Sequence, residues 1–389
     1  MSTPLKIIAD AHIWGVESAF STLPGFDVDL TVLESSRIKP ATVRQADILL
    51  TRSSTRVHAG LLGDSSVRFT GTATIGDDHY DKAWLDQAGI AWANAAGSST
   101  GSVVEYMVAA LLHLHEQRRI SISNSCIGII GAGRIGSEIE TICRAIGMQV
   151  VVNDPPRARK EGGEHFCSLD ELLRQTDLIT LHTPLIREGT DCTRHLLNGA
   201  RLRQFGGRGV INAARGACVD NDALLQWLDD KPDRFAAVDC WEHEPRPERQ
   251  LFSHAGMAIA TPHIAGHSVD GKAANTWFIY RALCAFLHIE PAWNMRDHLP
   301  TPPSPQMTNT QGDCWHQLHS ATSHLYALKE DHQTMQSWFG LSDRELPNAF
   351  TGYRRHYPVR RAWQHIPVHF THADAYTLQL AQAIGIKIV

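Results

Sequence analysis

The 389-residue sequence lacks a long apolar run. No stretch of about 18 apolar residues occurs, so we predict no membrane-spanning helix. The first ten residues also lack a basic segment followed by a long apolar one, which is the pattern of a secretory signal. We therefore expect a soluble protein of the cytoplasm.

Paired cysteines and an excess of positive charge are missing too. The eight cysteines are spread singly, without a CxxC pair, and several fall in apolar runs. This pattern is typical of reduced core residues in a protein without structural disulfides. The formal net charge is −5, which argues against a nucleic-acid binder, because that role needs a basic stripe.

Histidine, by contrast, is abundant, with 22 residues, and raises the possibility of a metal site. His263 and His267 stand four positions apart. Pro262 and Gly266 place them in a loop, however, where the helical spacing of metal ligands does not apply. We predict that the protein has no metal site.

Short apolar runs alternate with helical segments along most of the chain. The first hundred residues contain four predicted strands, at residues 5–9, 28–33, 48–51 and 67–73. A long helix is predicted at residues 103–116, and six further strands follow between residues 126 and 260. Strands that alternate with helices indicate parallel sheets covered by helices on both faces.

The fold class predicted from this alternation is α/β, with two doubly wound parallel-sheet domains, one Rossmann-like and one flavodoxin-like, and a C-terminal α+β domain. A helix over residues 268–288 is long enough to return to the first domain. The prolines between residues 300 and 305 predict a linker that extends to Gly312. The predicted domains are residues 1–98 with 268–296, residues 99–267, and residues 297–389 with the linker.

A glycine motif follows the first strand of the second domain. Gly131, Gly133 and Gly136 match GxGxxG, with Arg134 and Ile135 between them at the predicted start of a helix. Such glycines permit a tight turn, close approach of a pyrophosphate, and close packing of helix on strand, while backbone N–H groups face the phosphates. The motif therefore predicts a dinucleotide site.

An acidic residue indicates which dinucleotide binds. Asp154 ends the next predicted strand, where a carboxylate accepts hydrogen bonds from the adenosine ribose and repels a 2′-phosphate. We therefore predict NAD as the cofactor. The alternatives are that Asp154 only begins a turn and that Arg157 and Arg159 hold a 2′-phosphate.

Three residues with complementary chemistry come after predicted strands. They are Arg215, Glu244 and His263. A histidine can take the hydroxyl proton when a secondary alcohol is oxidised, a carboxylate favours the resulting imidazolium, and an arginine can hold a substrate carboxylate in a bidentate grip. The three residues together predict a site for a 2-hydroxy acid, with His263 as base, Glu244 as its partner and Arg215 as clamp.

Each of these residues also has a structural alternative. His263 could satisfy a buried carbonyl, and Arg215 could cap a helix or form a surface ion pair. Glu242 competes with Glu244 for the histidine, and their spacing does not decide between them. Asp239 could close a turn or accept from the nicotinamide amide.

The chain resembles the NAD-dependent D-2-hydroxyacid dehydrogenases. The likeness rests on the glycine motif and on four further blocks, His182-Thr183-Pro184-Leu185, Ala214-Arg215-Gly216, Trp241-Glu242-His243-Glu244-Pro245 and Thr261-Pro262-His263. A narrower likeness, to members that act on a phosphorylated four-carbon hydroxy acid, rests on several more, including Arg52-Ser53, Gly71-Thr72-Ala73-Thr74 and Val104-Glu105-Tyr106. Residues 350–363 resemble the dimerisation domain of those enzymes.

The resemblance implies a function and a set of site residues. It implies NAD-dependent oxidation of the phosphorylated hydroxy acid by a homodimer that forms through the C-terminal domain. It chooses Glu244 over Glu242, and it places Thr183, Ala213, Asp239 and Gly266 at the NAD site with the glycine motif and Asp154. The substrate contacts that it implies are Arg52, Ser53, Thr74 and the position of His267.

One departure from the pattern bears on the substrate. The narrower group usually has a tyrosine after His-Ile-Ala-Gly, where this chain has His267. A protonated imidazole can still donate to an anionic oxygen.

Other functions also remain open. One is a dehydrogenase of phosphoglycerate, glyoxylate or hydroxypyruvate type, and another is a non-catalytic NAD-sensing protein. The arginines between residues 354 and 361 indicate a solvated face or ion pairs between subunits.

Overall fold

The computed structural model describes residues 3–389, which form two compact units. The first unit runs through Ser99 and resumes over Ser268–Thr301. The second unit comprises Thr100–His267 and Pro302–Val389. The predicted C-terminal domain thus belongs to the same compact unit as the predicted dinucleotide domain, and its boundary at residue 297 stays a prediction.

The first unit is built on a five-stranded parallel sheet. Its strands are β1 Leu5–Asp10, β2 Val28–Leu33, β3 Ile48–Thr51, β4 Phe69–Thr72 and β5 Ala91–Asn94. The helices between them are α1 Val16–Phe20, α2 Pro40–Val43, α3 Ala59–Leu62 and α4 Lys82–Gln87. The strand order is β2-β1-β3-β4-β5, so the chain winds outward in both directions from β1 and β3. This is the predicted flavodoxin-like order.

The second unit contains a six-stranded parallel sheet. Its strands are β6 Cys126–Ile130, β7 Gln149–Asn153, β8 Leu178–Leu181, β9 Gly209–Asn212, β10 Phe235–Val238 and β11 Met257–Ala260. Its helices up to β11 are α5 Thr100–Glu116, α6 Arg134–Ala145, α7 Pro155–Glu161, α8 Leu169–Gln175, α9 Gly199–Gln204, α10 Asn221–Asp229 and α11 Arg249–Phe252. The order β11-β10-β9-β8-β6-β7 reverses between β6 and β8. Ligands of doubly wound sheets bind beyond the strand ends at such a switch point.

A 19-residue helix, α12 Val269–Leu287, follows the six-stranded sheet and packs on the five-stranded one. Its buried side chains Ile279 and Tyr280 lie with Ile7 and Leu50 in the core on one face of that sheet. Leu49 points into the core on the other face, because successive side chains of a strand alternate. Helices on both faces explain why β1 and β3 are apolar almost throughout.

The C-terminal segment adds a small parallel sheet and four helices. In chain order its elements are β12 Gln306–Thr308, α13 Cys314–Leu325, α14 Leu328–Ser337, α15 Glu345–Arg355, β13 Pro367–Phe370, α16 Ala375–Ala383 and β14 Lys387–Ile388. The three strands pair in the order β12-β13-β14. The fold class predicted from the sequence is confirmed, with all three sheets parallel.

The predicted linker is wrong in one part. Residues 306–308 are not a connecting segment but β12, with Gln306 opposite Val368 and Thr308 opposite Phe370. The prolines at 302, 303 and 305 precede the paired residues, and β12 is an edge strand, where proline can be accommodated. The strand therefore forms through a partner about sixty residues away, which local composition does not reveal.

Within residues 3–389, no helix is long and apolar enough to cross a membrane.

Candidate active site

Loops at the carboxyl ends of three adjacent strands carry the residues predicted for catalysis. Arg215 follows β9, Glu244 follows β10, and His263 follows β11. Because β9, β10 and β11 run parallel and pair in that order, their carboxyl ends lie at one edge of the sheet. The sequence prediction that these strand ends share an edge is therefore confirmed.

His263 and Glu244 form a hydrogen-bonded pair at that edge. Nδ1 of His263 lies 2.7 Å from Oε2 of Glu244, while Oε1 of Glu244 accepts from the backbone N–H of Trp241 at 2.8 Å. Burial alone would raise the pKa of Glu244, but the charge and hydrogen bond of His263, together with the charge of Arg354 and the N–H of Trp241, hold that pKa below its ordinary value. Glu244 is thus an ionised acceptor that fixes the ring of His263 with a proton on Nδ1.

The backbone of His263 is held in an unusual conformation. Its φ is +55°, in the left-handed region that residues with a Cβ seldom adopt. The N–H of His263 donates to the carbonyl of Asp239 at 2.7 Å. Residues kept in sparsely populated conformations need support from their surroundings, and they cluster at functional sites.

Asp239 supplies much of that support. The residue is only 1% exposed, and its carboxylate accepts from the hydroxyl of Thr261 at 2.7 Å and from the N–H groups of Ile264 and Ala265 at 2.8 and 3.1 Å. Burial raises the pKa of Asp239, and the charge of His263 and these hydrogen bonds oppose the rise. Asp239 therefore shapes the loop around His263, and its predicted contact with NAD stays a prediction.

Arg215 is positioned by a buried asparagine that the sequence analysis did not single out. The side-chain amide of Asn212 donates to the carbonyls of Arg215 and Cys240 at 3.1 and 3.2 Å, and its oxygen accepts from the N–H of Ala214 at 3.1 Å. Asn212 thereby ties the loop after β9 to the loop after β10. A polar residue as the last residue of an apolar strand was the signal available in the sequence.

The charges of this edge converge on the thiol of Cys240. Burial raises the pKa of Cys240 well above its ordinary value, and Asp239 and Glu244 raise it further, whereas Arg215 and Arg354 oppose the rise. These four charged side chains therefore all act on the same buried thiol.

The same edge contains a possible set of metal ligands. One ligand atom each from Cys240, Glu244 and His263 lies within 4.8 Å of the other two. Binding a cation there would require a proton to leave the buried thiol of Cys240, next to the positive charges of Arg215 and Arg354. Burial holds the pKa of this thiol well above its ordinary value, which disfavours the thiolate that a metal ion needs, and the predicted lack of a metal site stays a prediction.

The glycine motif forms the turn between β6 and α6. Gly131 has a φ of +91°, and a Cβ on Gly136 would lie 2.0 Å from the carbonyl oxygen of Gly131, so no other residue fits at 136. A Cβ on Gly133, the N-cap of α6, would meet nothing within 4 Å. The space beside Gly133 and the start of α6, with Arg134 and Ile135, fits a pyrophosphate approaching the backbone N–H groups.

Asp154 lies beside this turn at the end of β7. Its Oδ2 accepts from the N–H of Ala132 at 2.8 Å, and its Oδ1 caps α7 through the N–H of Arg157 at 3.0 Å. The guanidinium of Arg157 is engaged by Glu161 at 2.7 Å and by the carbonyl of Ala132. The carboxylate of Asp154 would repel a 2′-phosphate, and the guanidinium of Arg157 is already bonded to Glu161. Both features favour NAD over NADP.

Other predicted NAD residues follow neighbouring strands of the same sheet. Thr183 comes after β8, and a Cβ on Gly131 would lie 2.8 Å from its methyl group. Ala213 is buried directly after β9, and Gly266 lies in the loop that contains His263. All of these residues belong to the second unit.

The predicted substrate residues Arg52, Ser53 and Thr74 belong to the first unit. Arg52 and Ser53 follow β3, and Thr74 follows β4, which pairs with β3. Arg52 donates to the carbonyl of His12 at 3.2 Å, and the hydroxyl of Thr74 lies 2.8 Å from that of Thr72. These three residues therefore share the carboxyl edge of the five-stranded sheet.

His267 packs against an aromatic residue of the C-terminal segment. Its ring centroid lies 6.0 Å from that of Tyr357, in an edge-to-face arrangement.

The arginines between residues 354 and 361 differ in part from the prediction of a solvated face, since Arg355 is exposed and two others are not, while ion pairs between subunits stay a prediction. Arg360 and Arg361 are buried, and Arg360 forms an ion pair with Glu105 and lies 4.3 Å from the ring centroid of Tyr326. Local sequence favoured exposure because arginine is seldom buried without a partner, and this partner lies 255 positions away. Arg354 contacts the loop of His263, a contact that no sequence signal indicated.

Known proteins are similar to this chain in sequence and in fold. Residues 107–265 match the family model "D-isomer specific 2-hydroxyacid dehydrogenase, NAD binding domain". The chain is 38% identical to erythronate-4-phosphate dehydrogenase of Pseudomonas fluorescens over 385 residues, which cover 98% of this chain and all of that one. It is 37% identical to the enzyme of the same name from Azotobacter vinelandii over 390 residues, covering 99% of this chain and all of that one.

Solved structures show the same architecture. D-lactate dehydrogenase of Aquifex aeolicus, complexed with NAD and lactic acid, superposes with a TM-score of 0.61 at 23% identity, covering 72% of this chain and 95% of that one. At this identity the likeness shows the fold alone.

Together, the doubly wound sheets, the dinucleotide turn and the family match define an NAD-dependent 2-hydroxyacid dehydrogenase. Identity of 37–38% over the full length relates the chain to one particular family within this class of enzymes. The chain belongs to the erythronate-4-phosphate dehydrogenase family.

Proposed function

We propose that this enzyme oxidises the 2-hydroxyl of 4-phospho-D-erythronate to give (R)-3-hydroxy-2-oxo-4-phosphooxybutanoate, the step of vitamin B6 biosynthesis that the resemblance implies. The relatives that match over their full length are named for erythronate 4-phosphate. The observation that carries the chemistry is the 2.7 Å bond between His263 and Glu244 at the carboxyl edge of the sheet.

In this proposal His263 is the base. Ionised Glu244 accepts a hydrogen bond from Nδ1–H of His263, which leaves the lone pair of Nε2 to take the proton from the substrate hydroxyl. The imidazolium that forms is stabilised by the carboxylate of Glu244. NAD, when bound at the glycine turn, supplies the acceptor for the hydride.

The remaining site residues bind the anionic groups of the substrate. Arg215 follows β9, the strand that pairs with the one before Glu244, and is the clamp for the carboxylate next to the reacting carbon. Arg52, with Ser53 and Thr74, offers a cation and two hydroxyl groups, which suit a phosphate. His267 takes the position of a tyrosine and can donate to a phosphate oxygen when it is protonated.

The proposal is tested by formation of reduced cofactor with purified protein and a panel of acids. The panel contains 4-phospho-D-erythronate, unphosphorylated D-erythronate, 3-phosphoglycerate, and glyoxylate and hydroxypyruvate in the reverse direction. We expect the highest kcat/KM for 4-phospho-D-erythronate and a large loss without the phosphate. If 3-phosphoglycerate or hydroxypyruvate gave the higher value, the substrate would be wrong while the reaction type stood.

We also propose that the protein is a homodimer formed through the C-terminal segment. Large apolar side chains are exposed there, among them Met307, Val359 and Tyr376 at 58%, 74% and 55% exposure. Single exposed apolar residues are common, but several in one segment suit an interface between subunits. Sedimentation equilibrium should give the mass of a dimer for the wild type and a lower mass for Val359→Asp. A monomeric wild type would contradict the proposal.

A further inference from the structure

A guanidinium from the C-terminal segment contacts the peptide unit next to the proposed base. Arg354 lies in the last turn of α15, and its Nε donates to the carbonyl oxygen of His263 at 3.1 Å. The side chain also extends over Phe350, with its guanidinium carbon 5.8 Å from the ring centroid. Arg354 is therefore directed toward the loop after β11.

The end of α15 is fixed by two tyrosines that flank Arg354. The hydroxyl of Tyr353 donates to one oxygen of Asp331 at 2.6 Å, and the hydroxyl of Tyr357 donates to the other at 2.7 Å. Asp331 lies on α14 and is only 2% exposed. A buried carboxylate with both oxygens bonded holds these two side chains, and with them the backbone of Arg354, in one arrangement.

The helix that carries Asp331 is itself hydrogen-bonded to β11, the strand that precedes His263. Nδ1 of His332, the next residue on α14, accepts from the N–H of Ala260 at 2.9 Å, and Ala260 is the last residue of β11. Hydrogen bonds therefore join the end of β11 to α14, α14 to α15, and α15 to His263 in the loop after β11. The helices that hold Arg354 are thus bonded to the strand that precedes His263.

We propose that Arg354 is a positioning residue for His263. The left-handed backbone of His263 is bonded at its N–H by the carbonyl of Asp239 and at its carbonyl by Arg354. With both peptide groups bonded, the ring of His263 keeps its direction toward Glu244. Arg354 acts through His263 and is assigned no contact with substrate.

The positive charge of Arg354 has a second effect, on Glu244. Burial raises the pKa of Glu244, and Arg354 acts with His263 and the N–H of Trp241 to lower it. The other titratable groups of this edge are Asp239, Arg215 and Cys240. The charges of Asp239 and Arg215 both act on the thiol of Cys240. Loss of the guanidinium should therefore raise the pKa of Glu244, so a higher pH would be needed to ionise the partner of the base.

The inference rests on the proposed role of His263 and is tested by steady-state kinetics of Arg354→Gln. We expect kcat to fall about tenfold, the effect of losing one charge-assisted hydrogen bond, with KM within about twofold of the wild type. The acidic limb of the pH profile of kcat should move to higher pH. Arg354→Lys, which restores the charge but not the planar fork, should return that limb to its wild-type position and recover only part of kcat.

Arg355 provides the matched control. It is the next residue of the same helix turn and is exposed, so Arg355→Gln should leave kcat, KM and the acidic limb unchanged. Wild-type kcat and an unmoved limb in Arg354→Gln would overturn the proposal. Equal losses in the Arg354 and Arg355 variants would also overturn it, because they would indicate a general effect on the helix.

Two further measurements keep the test decisive. Thermal unfolding is followed for each variant, and Arg354→Met provides a second removal of charge and donor. If neither removal variant folds, the lysine variant decides, and wild-type kcat at every pH in that variant would overturn the proposal. The assay uses whichever 2-hydroxy acid the wild type oxidises, so failure on 4-phospho-D-erythronate refutes the substrate without deciding the role of Arg354.

Discussion

Glu242 is paired with His195, with its Oε1 2.6 Å from Nε2 of the imidazole. The other oxygen of Glu242 accepts from the N–H of Asn221 at 3.3 Å, and the side-chain oxygen of Asn221 accepts from the N–H of Glu242 at 3.2 Å. Both carboxylate oxygens of Glu242 are therefore occupied by hydrogen bonds to His195 and to the start of α10. Glu244, two positions along, is the carboxylate that bonds His263.

The two glutamates should separate catalysis from structure. Glu244→Gln removes the charge that favours an imidazolium at His263, and we expect kcat to fall by about 100-fold or more, in the range found for general acid–base groups and their partners. Glu242→Gln should change kcat by less than about threefold, because its partner is His195. Steady-state kinetics of both variants, with circular dichroism to check folding, would decide. A larger loss in the Glu242 variant would reverse the assignment.

Asp154 should control the choice of cofactor. Asp154→Asn keeps a hydrogen-bonding side chain of the same size but removes the charge that repels a 2′-phosphate. We expect kcat/KM for NAD to fall about tenfold or more, as for loss of a hydrogen bond to a charged group, and the preference for NAD over NADP to narrow. The exposed Asp170, in the first turn of α8, gives the control variant Asp170→Asn. An unchanged ratio of NAD to NADP efficiency in Asp154→Asn would argue against the ribose contact.

Asp331 should make stability depend on pH. Burial raises the pKa of Asp331 from 3.8 to about 6. Because the folded value lies above the unfolded one, the stability that the protonated carboxyl contributes is present below about pH 4 and is lost as pH rises through about 6. Asp331→Asn cannot ionise, so its free energy of unfolding relative to the wild type should rise by up to about 3 kcal/mol between those pH values.

Denaturant unfolding across this pH range measures the difference. The control is Gln333→Ala, because Gln333 is an exposed residue of the same helix without an ionisable side chain, so its difference from the wild type should not vary with pH. A constant difference between Asp331→Asn and the wild type would show that Asp331 titrates normally.

Much of the fold could be predicted because its strands are buried on both faces. Continuous apolar runs between glycine-rich and helical segments located nine of the eleven strands in the two large sheets to within a residue at each end. β5, with the sequence Ala-Trp-Ala-Asn, was missed because it is a short, half-buried edge strand with no β-branched residue. α15, which carries Arg354, was also missed, since Pro347 and Gly352 weaken its helical pattern.

The sequence predicted which residues form the site better than it predicted which side chains bond to one another. The carboxyl ends of parallel strands lie at one edge of a sheet, so the sequence alone predicted that Arg215, Glu244 and His263 share a site. The pairing of Glu242 with His195 depends on a loop 47 positions away, and the bond from Arg354 to His263 spans 91 positions. Side-chain partners at such separations are set by tertiary packing and leave no local pattern.

The central claim is that His263 takes the proton during oxidation of the hydroxy acid. The most direct test is His263→Ala, with turnover measured on 4-phospho-D-erythronate and NAD binding measured by calorimetry on the same preparation. The account predicts a loss in kcat of about 100-fold to 10,000-fold, with NAD affinity close to that of the wild type. Turnover at the wild-type rate in a folded His263→Ala protein would contradict it.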